Sequence, residues 1–160
     1  IYDVGTGKKA IIFIYDIFGW NETNKNVFTF ADDLAGRGAF TVIMPDFYRN
    51  EAWPVTQFPP QSDLQQKAFN TWLKGVASDI IVRKDIYERV LPHLFKSKHE
   101  KIGVIGFCWG GKQSFYMGAD GERFNAVASI HGAWIDEEKA NALQVPCYYG
   151  PAKGDTPVET

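Results

Sequence analysis

Cys108 sits in Gly106-Phe107-Cys108-Trp109-Gly110-Gly111, directly behind the apolar run Ile102-Gly103-Val104-Ile105. A buried strand running into Gly-x-Cys-x-Gly, with a helix opening by Lys112, is the nucleophile-elbow pattern, with Cys where Ser is commoner. The turn needs its glycines. Gly106 and Gly110 remove side chains that would collide on a tight strand-to-helix turn, and Gly111 allows close backbone approach. The thiol then stands at the carboxyl end of a sheet, beside a helix N-terminus whose partial positive charge favours the thiolate. The chemistry this points to is nucleophilic attack on a carbonyl, completed by a base and by backbone N–H groups that hold the oxyanion. The plain alternative is an inert core Cys, and the flanking glycines argue against it.

The other reactive side chains are few. His93 and His99 precede the elbow, on or just after a helix, and read as surface residues. His131 ends the strand after the elbow, at the same sheet edge, and is a candidate lining residue. Cys147 and His131 do not make a zinc set, and neither a metal nor an organic cofactor is implied.

The elements that must position these groups alternate strand and helix. Ala10-Ile11-Ile12-Phe13-Ile14-Tyr15 reads as a central parallel strand covered on both faces. Asn24 is placed to cap a helix from Lys25 to Gly36, with Val27, Phe28, Ala31, Leu34 and Ala35 on one face. Phe40-Thr41-Val42-Ile43-Met44 is the next strand, followed by a Pro-rich loop with Trp53 and Phe58 expected to be exposed. Ser62 and Gln65 form a capping-box pattern opening a helix to about Lys74. A second helix, from about Ser78 to Lys96, contains Pro92, which is expected to kink or end it. After the elbow and its helix come strands at 126–130 and 145–149, separated by a short helix at 136–143. This alternation predicts an α/β fold, a mostly parallel sheet with helices on both faces.

Composition removes several function classes. The formal net charge of −2 suggests no nucleic-acid partner. No apolar run is long enough to span a membrane. Two cysteines make no disulfide framework, and a free elbow thiol suits a reducing, cytoplasmic compartment. The 160 residues suffice for one domain, expected as a monomer or weak homodimer. The chain opens on Ile1 and stops soon after a strand signal, so residues 1–160 are read as one incomplete domain, truncated at both ends.

Gly106-Phe107-Cys108-Trp109-Gly110-Gly111 resembles the nucleophile motif of the dienelactone hydrolase family, a branch of the α/β-hydrolases with a Cys-His-Asp triad. Tyr15-Asp16-Ile17-Phe18-Gly19-Trp20-Asn21 and Pro45-Asp46-Phe47-Tyr48-Arg49 are similar to two further family segments. Ala68-Phe69-Asn70-Thr71-Trp72 and Gly154-Asp155-Thr156-Pro157-Val158 extend the likeness. The resemblance implies an α/β-hydrolase-type sheet and a hydrolase of small esters or lactones. It implies Cys108 as nucleophile, Asp155 as triad acid, and Trp109 and Ile17 as oxyanion-hole donors through their backbone N–H groups. It puts the triad His beyond residue 160 and argues against His131 as base. Asp16 matches a family Glu that contacts the thiol, one methylene shorter here, and Phe18 falls in the same loop. Gln65 and Phe69 fall where dienelactone-opening members carry an Arg and a Tyr. A neutral Gln cannot hold a substrate carboxylate as Arg does, so the substrate is expected to differ from dienelactone. The departures at Asp16 and Gln65 also fit a second class, a non-catalytic binding protein of the same fold. A redox-sensing Cys108, which needs no His, is a third.

Overall fold

Apolar, β-branched runs place the central strands of the sheet, and their register decides what meets at its carboxyl edge. The computed structural model describes residues 1–20, 24–153 and 155. Its sheet has six strands in the order β1-β3-β2-β4-β5-β6. These are β1 (Tyr2–Val4), β2 (Lys9–Ile14), β3 (Phe40–Met44), β4 (Lys101–Phe107), β5 (Ala126–Ile130) and β6 (Cys147–Gly150). All pairings are parallel except that of β1 with β3. The sheet is thus mostly parallel with helices on both faces, as expected for an α/β-hydrolase. Strand β1 was not expected, because three residues carry too little periodicity to read.

Ile14 pairs with Gly106, Phe107 with Ile130, and Ile130 with Gly150. The residues that follow these strand ends therefore emerge at one edge: Tyr15 to Ile17, Cys108, His131 and the loop leading to Asp155. In open parallel sheets this edge is where ligands bind.

The helices are α1 (Asn26–Gly38), α2 (Asp63–Lys74), α3 (Asp79–Asp85), α4 (Leu91–Lys96), α5 (Trp109–Gly118) and α6 (Glu137–Asn141). Helix α1 buries Val27, Ala31 and Ala35 as its periodicity requires, but Asn24 does not cap it. The Asn24 amide Nδ2 donates to Gly19 O at 2.8 Å, back across the loop. Helix α2 does open on a side-chain cap, with Ser62 Oγ accepting from Gln65 N–H. Pro92 neither ends nor breaks its helix. A π-helical turn, Ile86–Val90, joins α3 to α4, and Pro92 sits in the first turn of α4. The backbone stays helical through this junction, and the switch to π-type bonding just before Pro92 is a distortion of the kind a proline inside a helix produces.

Below the carboxyl edge, Tyr15, Phe47, Tyr48 and Trp109 are fully buried. Trp53, expected to be exposed, is 7% exposed, because its ring packs on Phe69 and Trp72. Phe58 is exposed as expected. Among the described residues no helix is long and apolar enough to cross a membrane.

Candidate active site

Cys108 follows the last residue of β4 and precedes the first residue of α5, with φ +53° and ψ −114°. A residue with a side chain pays for that conformation in strain, so the surroundings must over-determine it. They do so through four backbone bonds, one of them a longer one from Lys112 N–H to Cys108 O at 3.4 Å. Cys108 N–H donates to Ile130 O at 3.0 Å, and Cys108 O accepts from Gly111 N–H at 3.0 Å and Ala133 N–H at 2.9 Å. The glycines serve as the spacing requires. A methyl group on Gly106 would overlap Gly110 O, one on Gly110 would overlap Ile14 O, and one on Gly111 would lie 2.6 Å from Ser129 Oγ. Helix α5 is anchored from the side: Trp109 Nε1 donates to Ala77 O, while Asp79 receives Lys112 Nζ at 2.7 Å and Gln113 Nε2 at 2.6 Å.

The electrostatics differ from the expectation for a helix N-terminus. Burial pushes the Cys108 thiol above the ordinary thiol range. The Trp109 amide pulls it down, but the charges of Asp16 and Asp155 push it up further. The helix end is thus outweighed by desolvation and two carboxylates, and the resting group is a neutral thiol near pH 7.

The loop after β2 supplies Asp16, Ile17 and Phe18. Asp16 Oδ1 accepts from Phe18 N–H at 2.9 Å, a local turn, so its carboxylate reaches Cys108 through its field rather than by a hydrogen bond. Burial raises the Asp16 carboxyl, partly offset by the amides of Phe18 and Gly19. Ile17 O accepts from Trp53 N–H at 2.9 Å, whereas Ile17 N–H has no acceptor among the described residues. Trp109 is the first residue of α5, and the first amides of a helix have no partner within it. Both expected oxyanion donors therefore have amides free of the sheet and helix ladders.

Phe18, Phe58 and Phe69 form an aromatic wall, with ring centroids 5.9 and 5.7 Å apart in turn. Gln65 does not join it, since its Oε1 accepts from Gln61 N–H at 2.7 Å at the start of α2. Trp20 packs on Phe28, and the Trp109 ring lies in the core against Tyr48. A cleft of about 360 Å³, lined by Phe13, Tyr15, Asp16, Val27, Phe30 and Phe107 among others, opens beside Asp16; Cys108 is not part of its lining.

Asp155 is brought to His131. Asp155 Oδ1 lies 2.5 Å from His131 Nδ1, and Oδ2 accepts from Ala152 N–H at 2.7 Å. His131 itself has φ +52° and donates its N–H to Gly150 O. The sequence placed His131 at this edge but gave no sign of the pairing. Asn21, Gly154 and residues 156–158, used above for the family likeness, lie outside the described residues. Among the described residues no group of three His, Cys, Asp or Glu is arranged to hold a metal. One residue was missed altogether: Tyr48, whose hydroxyl donates to Asp16 O at 3.0 Å. Its only sequence signal was its place in the Pro-Asp-Phe-Tyr segment.

The chain is also similar to known proteins. The profile of the dienelactone hydrolase family matches residues 3–160. A human carboxymethylenebutenolidase homolog is 34% identical over 148 residues, covering 92% of this chain and 56% of its own length. An AIM2 family protein of Schizosaccharomyces pombe is 32% identical over 151 residues, covering 91% of this chain and 57% of its own. The chain thus spans little more than half the length of these relatives. Among solved structures, a dienelactone hydrolase-like promiscuous phosphotriesterase from metagenomic libraries superposes with a TM-score of 0.64 at 20% identity, over 98% of this chain and 61% of that one. At that identity the likeness speaks for the fold alone.

Proposed function

The chain belongs to the dienelactone hydrolase family of the α/β-hydrolase superfamily, and from that premise we propose that it is a cysteine-dependent hydrolase of small carboxylic esters or lactones. The observation that carries the reading is the backbone of Cys108. A strained nucleophile turn, held by four backbone bonds and three closely packed glycines, has no packing purpose that an unstrained residue would not serve better.

In the proposed reaction a base removes the Sγ proton as Sγ bonds to the substrate carbonyl carbon. The carbonyl oxygen takes up negative charge and is held by the amides of Ile17 and Trp109. The carbon–oxygen bond to the leaving group then breaks, the alcohol takes the proton, and a thioester on Cys108 remains. Water, activated by the same base, cleaves the thioester and releases the acid. Burial raises the thiol, so attack in this proposal depends on a base to take its proton. That also disfavours redox sensing, which needs a low-pKa thiol.

Asp155 is the proposed acid, fixing the orientation of the base imidazole. Family chain order puts that imidazole after Asp155. A second reading makes His131 the base, and its support is the 2.5 Å contact between Nδ1 and Asp155, the pairing a triad uses to leave Nε2 for the nucleophile. On the substrate side, the Phe18-Phe58-Phe69 wall and the tied-down Gln65 favour an uncharged, apolar acyl group over a carboxylate. The test is ester turnover by the protein and by Cys108→Ala and Cys108→Ser. Ala should abolish it, and Ser should lose most of it, because a hydroxyl depends far more on base activation than a thiol. Undiminished turnover in Cys108→Ala would end the proposal.

A further inference from the structure

We infer that Tyr48 is the positioning residue of the oxyanion hole: its hydroxyl fixes the peptide unit that presents the Ile17 N–H to the reacting carbonyl. The inference rests on the hydrolase reading above. It begins with a geometric constraint. The carbonyl of Asp16 and the N–H of Ile17 belong to one planar, trans peptide unit, so they point in opposite directions and turn together. Whatever holds Asp16 O sets where Ile17 N–H points.

Two donors hold that oxygen. Gly19 N–H reaches it at 3.2 Å from within the same loop, and Tyr48 Oη–H reaches it at 3.0 Å from the core. The loop bond turns with the loop, whereas Tyr48 is tied to the body of the protein. Its ring is fully buried between Tyr15, Trp72 and Trp109, with centroids 5.3, 4.9 and 4.9 Å away. The contact with Trp109 matters because the Trp109 amide is the other proposed donor. One rigid side chain therefore touches both halves of the hole: it hydrogen-bonds the peptide carrying one donor and packs against the residue carrying the second. Burial holds the phenol well above its ordinary range, so it stays a donor across any working pH.

A buried Tyr can also be merely structural, so the test separates attack that makes an oxyanion from attack that does not. Iodoacetamide alkylates Cys108 at a saturated carbon and develops no oxyanion. A p-nitrophenyl ester acylates Cys108 through a tetrahedral oxyanion. Tyr48→Phe should leave the alkylation rate within about twofold and lower the acylation burst by about tenfold, mainly in kcat. That is less than the roughly 10²–10³-fold lost when an oxyanion donor itself is removed, because Gly19 still holds the carbonyl. Placing 4-aminophenylalanine at position 48 keeps the ring, restores an N–H donor and should recover most of the burst, which mere loss of fold at Tyr48→Phe would not explain. Equal acylation in the unsubstituted protein and Tyr48→Phe would overturn the inference, as would equal loss in both reactions or no recovery by the amine. Absence of any burst in the unsubstituted protein would instead overturn the hydrolase reading on which it rests.

Discussion

Replacing Cys108 by glycine should make the protein more stable than replacing it by alanine, although glycine usually destabilises. At φ +53° and ψ −114° the residue occupies a region that side chains rarely adopt. Holding a non-glycine residue in such a conformation costs roughly 1–3 kcal/mol. Alanine keeps that strain and glycine relieves it. Against the relief stand the greater freedom of glycine in the unfolded chain, about 0.5–1 kcal/mol, and one half-buried methyl group, about 0.4 kcal/mol. The thiol is lost in both variants and cancels. The balance favours glycine by about 1 kcal/mol on these ranges. With a urea dependence of about 2 kcal/mol per molar for a domain of this size, the unfolding midpoint of Cys108→Gly should lie about 0.5 M above that of Cys108→Ala. The assay is a pair of urea titrations read by tryptophan fluorescence. Equal midpoints, or alanine the more stable, would mean that the turn stores no strain at Cys108, and the main structural support for a nucleophile there would be gone.

Two other outcomes follow from the site. The Asp16 carboxylate raises the Cys108 thiol, so Asp16→Asn, whose side-chain oxygen can still accept from Phe18 N–H, should shift the pH profile of iodoacetamide alkylation to lower pH and speed alkylation near neutrality. The sign follows from charge alone, since an anion disfavours the thiolate and its removal favours it; a profile that stays put would exclude Asp16 from control of the thiol. His131→Ala decides between the two bases: if the base follows Asp155 in the chain, ester turnover should fall by less than about tenfold, whereas a loss in the roughly 10²–10⁴-fold range of general-base removal would make His131 the base.

What the sequence made legible was whatever depends on local contacts. The glycines around Cys108 announced a close backbone approach, and each meets a backbone or side-chain oxygen that a methyl group would strike. The apolar run from Ala10 read as a central strand because both of its faces are covered. What it hid depends on the far side of the fold. Asn24 has the residue type of a helix cap, but the helix opens one residue later, with Lys25 at the cap position, and the Asn24 amide donates back to Gly19 O. Trp53, in a Pro-rich loop, is buried by Phe69 and Trp72 from another element. The helix dipole predicted a lowered thiol pKa, but burial of Cys108 reverses it, helped by the charges of Asp16 and Asp155, which arrive from the ends of β2 and β6. Tyr48 reaches Asp16 across 32 residues, and no spacing rule encodes that bond.

The most direct measurement is mass spectrometry of the protein stopped during turnover of an activated acetyl ester. The account predicts an acetyl group on the peptide carrying Cys108, formed at the rate of the burst and lost at the rate of steady turnover. Turnover without any acyl group on Cys108, or an acyl group that never leaves, would contradict it.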